Sequence, residues 1–124
     1  MNPSDCESLS DLATAHLESG NLAEAERAFK WCLATDAEYA PAHNGLGLIA
    51  ARKPDLAAAQ GHFEKAVQLD PELLEARLNL GRVYKMTGAI PKARASFEAF
   101  LSKASPAEYG DIIPRIRQEV EAMR

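Results

Sequence analysis

The sequence predicts an all-α fold, an array of antiparallel helix pairs with seven helices in all. Three observations carry that prediction. Phe29, Phe63 and Phe97 recur at a constant step of 34 residues, the length of a helical-pair repeat. Ala25, Ala59 and Ala93 keep the same step, as do Leu12, Leu46 and Leu80, each followed by a small residue (Ala13, Gly47, Gly81), and no insertion breaks the register. Within each repeat, apolar residues return every three or four positions, the period of a helix face.

The first repeat, about residues 6–39, opens at Ser4-x-x-Glu7. It turns at Ser19-Gly20-Asn21, where Asn21-x-x-Glu24 has the spacing of a capping pair for its second helix. In the second repeat, 40–73, Pro54-Asp55 replaces the turn glycine, and Asp55 suits the N-cap of a helix beginning near Leu56. Asp70-Pro71-Glu72 separates this repeat from the third, proline being comfortable at a helix's first position. In the third, 74–107, Leu73, Ala76, Leu80, Val83 and Tyr84 mark one helix and Ala93, Phe97, Phe100 and Leu101 the next, with Thr87-Gly88 between them. Residues 108–124 form a capping helix, entered through Ser105-Pro106-x-Glu108 and broken around Gly110–Pro114, since proline disrupts a helix interior. Ile112, Ile113, Ile116, Val120 and Met123 make its apolar stripe, leaving a polar face to end the array in water.

The string Leu80-Gly81-Arg82-Val83-Tyr84, followed by Gly88, Ala93 and Phe97, and the closing Asp70-Pro71, resemble the tetratricopeptide repeat over about residues 6–107. The resemblance implies one domain over 1–124, a right-handed superhelical α-solenoid whose first helices line a concave groove. Departures are local. Leu9, His43 and Arg77 stand where the family has a large aromatic, and His16 and Ala50 replace the tyrosine, so looser packing is expected in the first two repeats. By the same carry-over, the partner-binding residues are Asn44, Leu48 and Arg52 from the second repeat and Leu78, Asn79, Arg82 and Lys85 from the third. The asparagines would hold peptide backbone, and the cations would meet carboxylates. Members that grip a chaperone's C-terminal carboxylate use Lys, Asn and Arg at positions that are Ser10, Thr14, Gly45, Glu75 and Asn79 here. Only Asn79 retains a suitable group, so a chaperone-tail clamp is not expected.

The expected function is therefore protein–protein interaction: the groove takes a peptide segment or partner helix, with an acidic ligand favoured. Two other roles stay open: a scaffold that associates with copies of itself, and an accessory domain of a longer enzyme or receptor. Charge bears on the first, because residues 1–40 carry eight acids and two bases while 74–124 carry six acids and nine bases. Such a gradient steers acidic ligands or favours head-to-tail association at low salt. Trp31, at a position usually polar, is a secondary contact candidate.

Chemistry is not expected. His16, His43 and His62 have no metal-ligand spacing, and no nucleophile motif or phosphate-cradling loop occurs, so neither enzyme activity, cofactor nor metal is expected. Cys6 and Cys32 fall at the adjoining ends of an antiparallel pair, and whether they are bonded is left open. A net charge of −4 removes the footprint of a nucleic-acid binder. No apolar run reaches the roughly 18–20 residues that span a bilayer, and the first residues lack a signal peptide's basic flank and apolar stretch. The expected compartment is the cytoplasm.

Overall fold

The computed structural model describes residues 5–123. Their regular structure is helical throughout: α1 (Cys6–Glu18), α2 (Leu22–Thr35), α3 (Ala40–Arg52), α4 (Leu56–Leu69), α5 (Leu74–Thr87), α6 (Ile90–Lys103), α7 (Pro106–Tyr109) and α8 (Ile113–Ala122). The chain divides into two compact units, Met1–Leu73 and Leu74–Arg124. The first holds α1–α4 and the second α5–α8.

In the first unit, Asp5 caps α1 by accepting from the Ser8 N–H at 3.1 Å. Ser4, expected to open this helix, lies outside the described residues. α1 ends at Gly20, whose φ of 83° admits the left-handed turn. There the Gly20 N–H donates to Leu17 O (3.1 Å) and the Asn21 N–H to His16 O (2.8 Å), satisfying carbonyls that the helix end leaves open. The expected Asn21–Glu24 capping pair does not form, since the Asn21 side chain makes no cap bond. Its backbone closes the turn, while Glu24 sits 3.4 Å from His16 Nδ1. The α3–α4 turn manages without glycine: the N–H groups of Lys53 (3.1 Å) and Asp55 (2.6 Å) both donate to Ala50 O. As expected, the Asp55 side chain then caps α4, accepting from the Ala58 N–H at 3.1 Å. Asp70 accepts from the Glu72 N–H at 3.0 Å. That local turn delays the next helix to Leu74, so Pro71 lies in the turn and not at a helix's first position.

The repeat's columns are the core. Phe29 and Phe63 are 1% exposed and Phe97 is fully buried, so the departures in the first two repeats do not loosen them. Each ring fills a space that a missing side chain opens. A Cβ built on Gly47 would lie 2.5 Å from the Phe63 ring, and one on Gly81 would lie 2.6 Å from that of Phe97. Helices approach closely there because neither glycine carries a side chain. At the far end of the first pair, a disulfide joins Cys6 to Cys32, their Cα atoms 4.7 Å apart. Antiparallel α1 and α2 bring those ends together, which answers the question the sequence left open.

In the second unit, Gly88 repeats the Gly20 turn at a φ of 83°, with N–H bonds from Gly88 to Lys85 O (3.2 Å) and Ala89 to Tyr84 O (2.8 Å). Ser105 caps α7, accepting from the Ala107 N–H at 3.1 Å. Tyr109 then packs edge-on to Phe100, ring centroids 5.0 Å apart. The chain breaks after Tyr109, and α8 restarts with Pro114 in its first turn, where a missing N–H costs nothing. The expected capping helix is thus two pieces, and the described residues hold eight helices instead of seven. Ile113, Ile116 and Val120 are buried, α8 packs on α6, and Arg94 Nη2 donates to Met123 O at 3.0 Å.

Candidate functional site

Of the residues carried over to α3, the structure leaves little exposed for a partner. Asn44 is buried at 7% exposure, and Leu48 packs against the first unit's core. Arg52 is exposed, yet its Nη1 donates to Leu17 O at 2.9 Å. That carbonyl belongs to the last turn of α1, where a cation is electrostatically favoured. Beside it, Glu26 pairs with Lys30 (2.8 Å) and Lys53 (2.9 Å). The bonds from Lys30 and then Lys53 hold its carboxyl down to about 2. This charge cluster ties α2 to the end of α3.

The second unit differs. Leu78 is buried and Asn79 half-buried, but Arg82 and Lys85, one turn apart on α5, are exposed. They line an open cleft of about 510 Å³ with Ile112, Arg115, Ile116 and Glu119. Lys85 pairs with Glu119, which joins α5 to α8. Neither Arg82 nor Arg115 forms an ion pair with another described residue. The cleft therefore offers two guanidinium groups beside an isoleucine floor, a combination suited to a carboxylate next to an apolar side chain. The sequence reading named Arg82 and Lys85 and missed Arg115 with its isoleucines. The amphipathic stripe of α8 showed which residues face inward, but nothing in it says which helix its cationic side adjoins.

The histidines have separate settings. His16 faces Glu24, and His43 Nε2 lies 2.9 Å from Ala37 O. Burial, with His43 nearby, pushes the His62 pKa below the usual imidazole range. Among the described residues, no three His, Cys, Asp or Glu side chains gather as a metal site would require. Gly45, one of the clamp positions, is a packing contact, since a side chain there would overlap the Phe29 ring. No described helix is long and apolar enough to cross a membrane. A disulfide persists best in an oxidising compartment, so the cysteines lend no support to the cytoplasmic expectation. Among the described residues, three large apolar side chains stand exposed: Leu12 (47%), Trp31 (50%) and Met86 (61%).

Helix pairs recurring every 34 residues, closed by glycine–phenylalanine contacts, define a helical-repeat protein. Models of the tetratricopeptide repeat match residues 10–73 and residues 48–111; the chain belongs to the tetratricopeptide repeat family. No curated protein matches it. Among solved structures, it is similar to the type III secretion translocator chaperone SycD of Yersinia enterocolitica, with a TM-score of 0.84 at 18% identity over 94% of this chain and 81% of that one. SycD is also known in complex with a peptide of the translocator YopD. The TPR2B domain of yeast Sti1, in an Hsp70 complex, gives a TM-score of 0.82 at 15% identity over 95% and 94%. MamA gives 0.73 at 24% identity over 82% and 60%. At such identities the likeness is one of fold.

Proposed function

We propose that the chain is a protein-interaction module that takes an acidic segment of another protein, as a peptide or a helix, on the exposed faces of its first helices. The observation that carries this reading is the α5–α8 cleft, where Arg82 and Arg115 flank Ile112 and Ile116 with no acidic partner among the described residues. Peptide complexes of SycD and Sti1 support the general mode, while the clamp positions speak against a chaperone tail as the ligand. In this reading a partner carboxylate meets the two arginines, an adjacent apolar side chain rests on the isoleucines, and Asn79 holds backbone. Asn44, Leu48 and Arg52 of α3, also carried over from the sequence, are not part of this cleft, since Asn44 is buried, Leu48 packs against the first unit's core and Arg52 donates to Leu17 O. The module carries out no catalysis of its own.

Fluorescence anisotropy with a labelled peptide of alternating Glu and Leu tests the proposal, beside a Lys and Leu analogue. The Glu peptide should bind, and the pair Arg82→Glu and Arg115→Glu should weaken it about tenfold or more, the worth of a charge-assisted bond. Absence of binding, equal binding of the Lys analogue, or an unchanged affinity in the double variant overturns it.

A further inference from the structure

The α5–α8 cleft already holds a carboxylate. Among the described residues that line it, Arg82, Lys85 and Arg115 are cations and Glu119 is the one acid. Glu119 follows Arg115 by four residues on α8, so the two share a helix face. A base ahead of an acid is the weaker order for such a pair, since both charges then oppose the helix dipole. Glu119 turns instead across the cleft to Lys85 of α5. That ion pair is not what holds α8 in place. Ile113, Ile116 and Val120 are buried, α8 packs on α6, and Arg94 grips Met123 O. The side chains of Lys85 and Glu119 are 47% and 32% exposed, and an ion pair so open to water contributes little to stability. Another carboxylate can replace Glu119 at small cost.

We infer that Glu119 is an internal competitor for the cleft: it occupies Lys85 until an acidic segment of the partner displaces it. The inference rests on the function proposed above and names how that site is regulated. With the pair closed, the cations left for a ligand are Arg82 and Arg115, enough for a single carboxylate. Lys85 lies one helical turn from Arg82, within reach of a second acid on the same ligand. Taking Lys85 means breaking its bond to Glu119, so part of each new contact is spent on the old one. Glu119 thereby holds down the affinity of the cleft and admits only segments rich enough in acid to compete with it. Its removal leaves three cations unpaired and raises affinity, and it does so through Lys85.

The test is a double-mutant cycle on Lys85 and Glu119 in the full chain. Fluorescence anisotropy would follow the labelled peptide of alternating Glu and Leu at about 50 mM NaCl, where exposed charges are little screened. Glu119→Gln should bind it about two- to fivefold more tightly than the parent, the worth of a partly exposed ion pair. In the Lys85→Met background the same change should leave affinity as it was. Glu98→Gln removes an equal charge from an exposed position on α6, outside the cleft, and should bind like the parent. Circular dichroism of Glu119→Gln should keep the parent's helix signal, because α8 stands without the pair. If the parent binds but Glu119→Gln binds no better, the inference alone is overturned. It is equally overturned if the gain persists in Lys85→Met, if Glu98→Gln matches it, or if Glu119→Gln loses helix. If neither the parent nor Glu119→Gln binds the peptide, the proposed function fails and the inference falls with it.

Discussion

Replacing one glycine by alanine should stabilise this protein at one position of the first unit and destabilise it at another. Gly61 lies within α4 and a Cβ there would meet nothing within 4 Å. Gly61→Ala should therefore show only the helix-propensity gain, about 0.5–1 kcal/mol. Gly47 lies within α3, and its Cβ would stand 2.5, 2.6 and 2.9 Å from three atoms of the Phe63 ring. Real Cβ contacts are never so short, and a ring 1% exposed has nowhere to go without moving α3 from α4. Overpacking of this kind costs about 1–3 kcal/mol and opposes the propensity gain. Because the whole ring lies in the way, the upper part of that range applies, leaving Gly47→Ala about 1–2 kcal/mol less stable than the parent. Urea unfolding followed by far-UV circular dichroism measures both. If Gly47→Ala equals or exceeds the parent in stability, the claim that these glycines set helix spacing is wrong.

Further predictions follow from the caps and cross-links. Under denaturing conditions the oxidised protein should show no free thiol, and reduction should lower stability by about 3–4 kcal/mol, the loop entropy of a bridge across 26 residues; two titratable thiols in the purified protein would contradict the assignment. Gly20→Ala should cost about 1 kcal/mol, since φ of 83° penalises a side chain although there is space for one; thermal unfolding reads the loss. Glu26 keeps a folded pKa of about 2 against an ordinary 4.5. Its contribution is full above about pH 4.5 and is lost as pH falls towards 2. Glu26→Gln should thus be less stable than the parent at pH 7, with the difference closing as the solution is acidified.

Much of this architecture could be read from period and spacing because steric needs repeat with the helix pairs. A buried Phe must meet a small residue on its neighbour, so the columns of Phe29, Gly47 and Gly81 reveal the pairs before any coordinates. Gly20 and Gly88 announced their turns for a similar reason, only glycine being at ease with that φ. Pro114 likewise announced the break in the last helix, whereas the Asn21 cap and the placing of Pro71 depended on which of several local hydrogen bonds wins, and residue type does not decide that. The candidate cleft was half legible. Arg82 and Lys85 follow from the repeat, but Arg115 joins them only because α8 restarts after Gly110 and meets α5 through Glu119. Arg52 looked like a ligand-binding cation, and no spacing rule could show that the end of α1 would engage it.

The central claim is that an acidic partner is held in the α5–α8 cleft. NMR chemical-shift mapping of the labelled chain, titrated with the Glu and Leu peptide, tests it most directly. The account predicts shifts centred on Arg82, Lys85, Ile112, Arg115 and Ile116, absent with the Lys analogue. Shifts confined to other residues, or none at all, would contradict it.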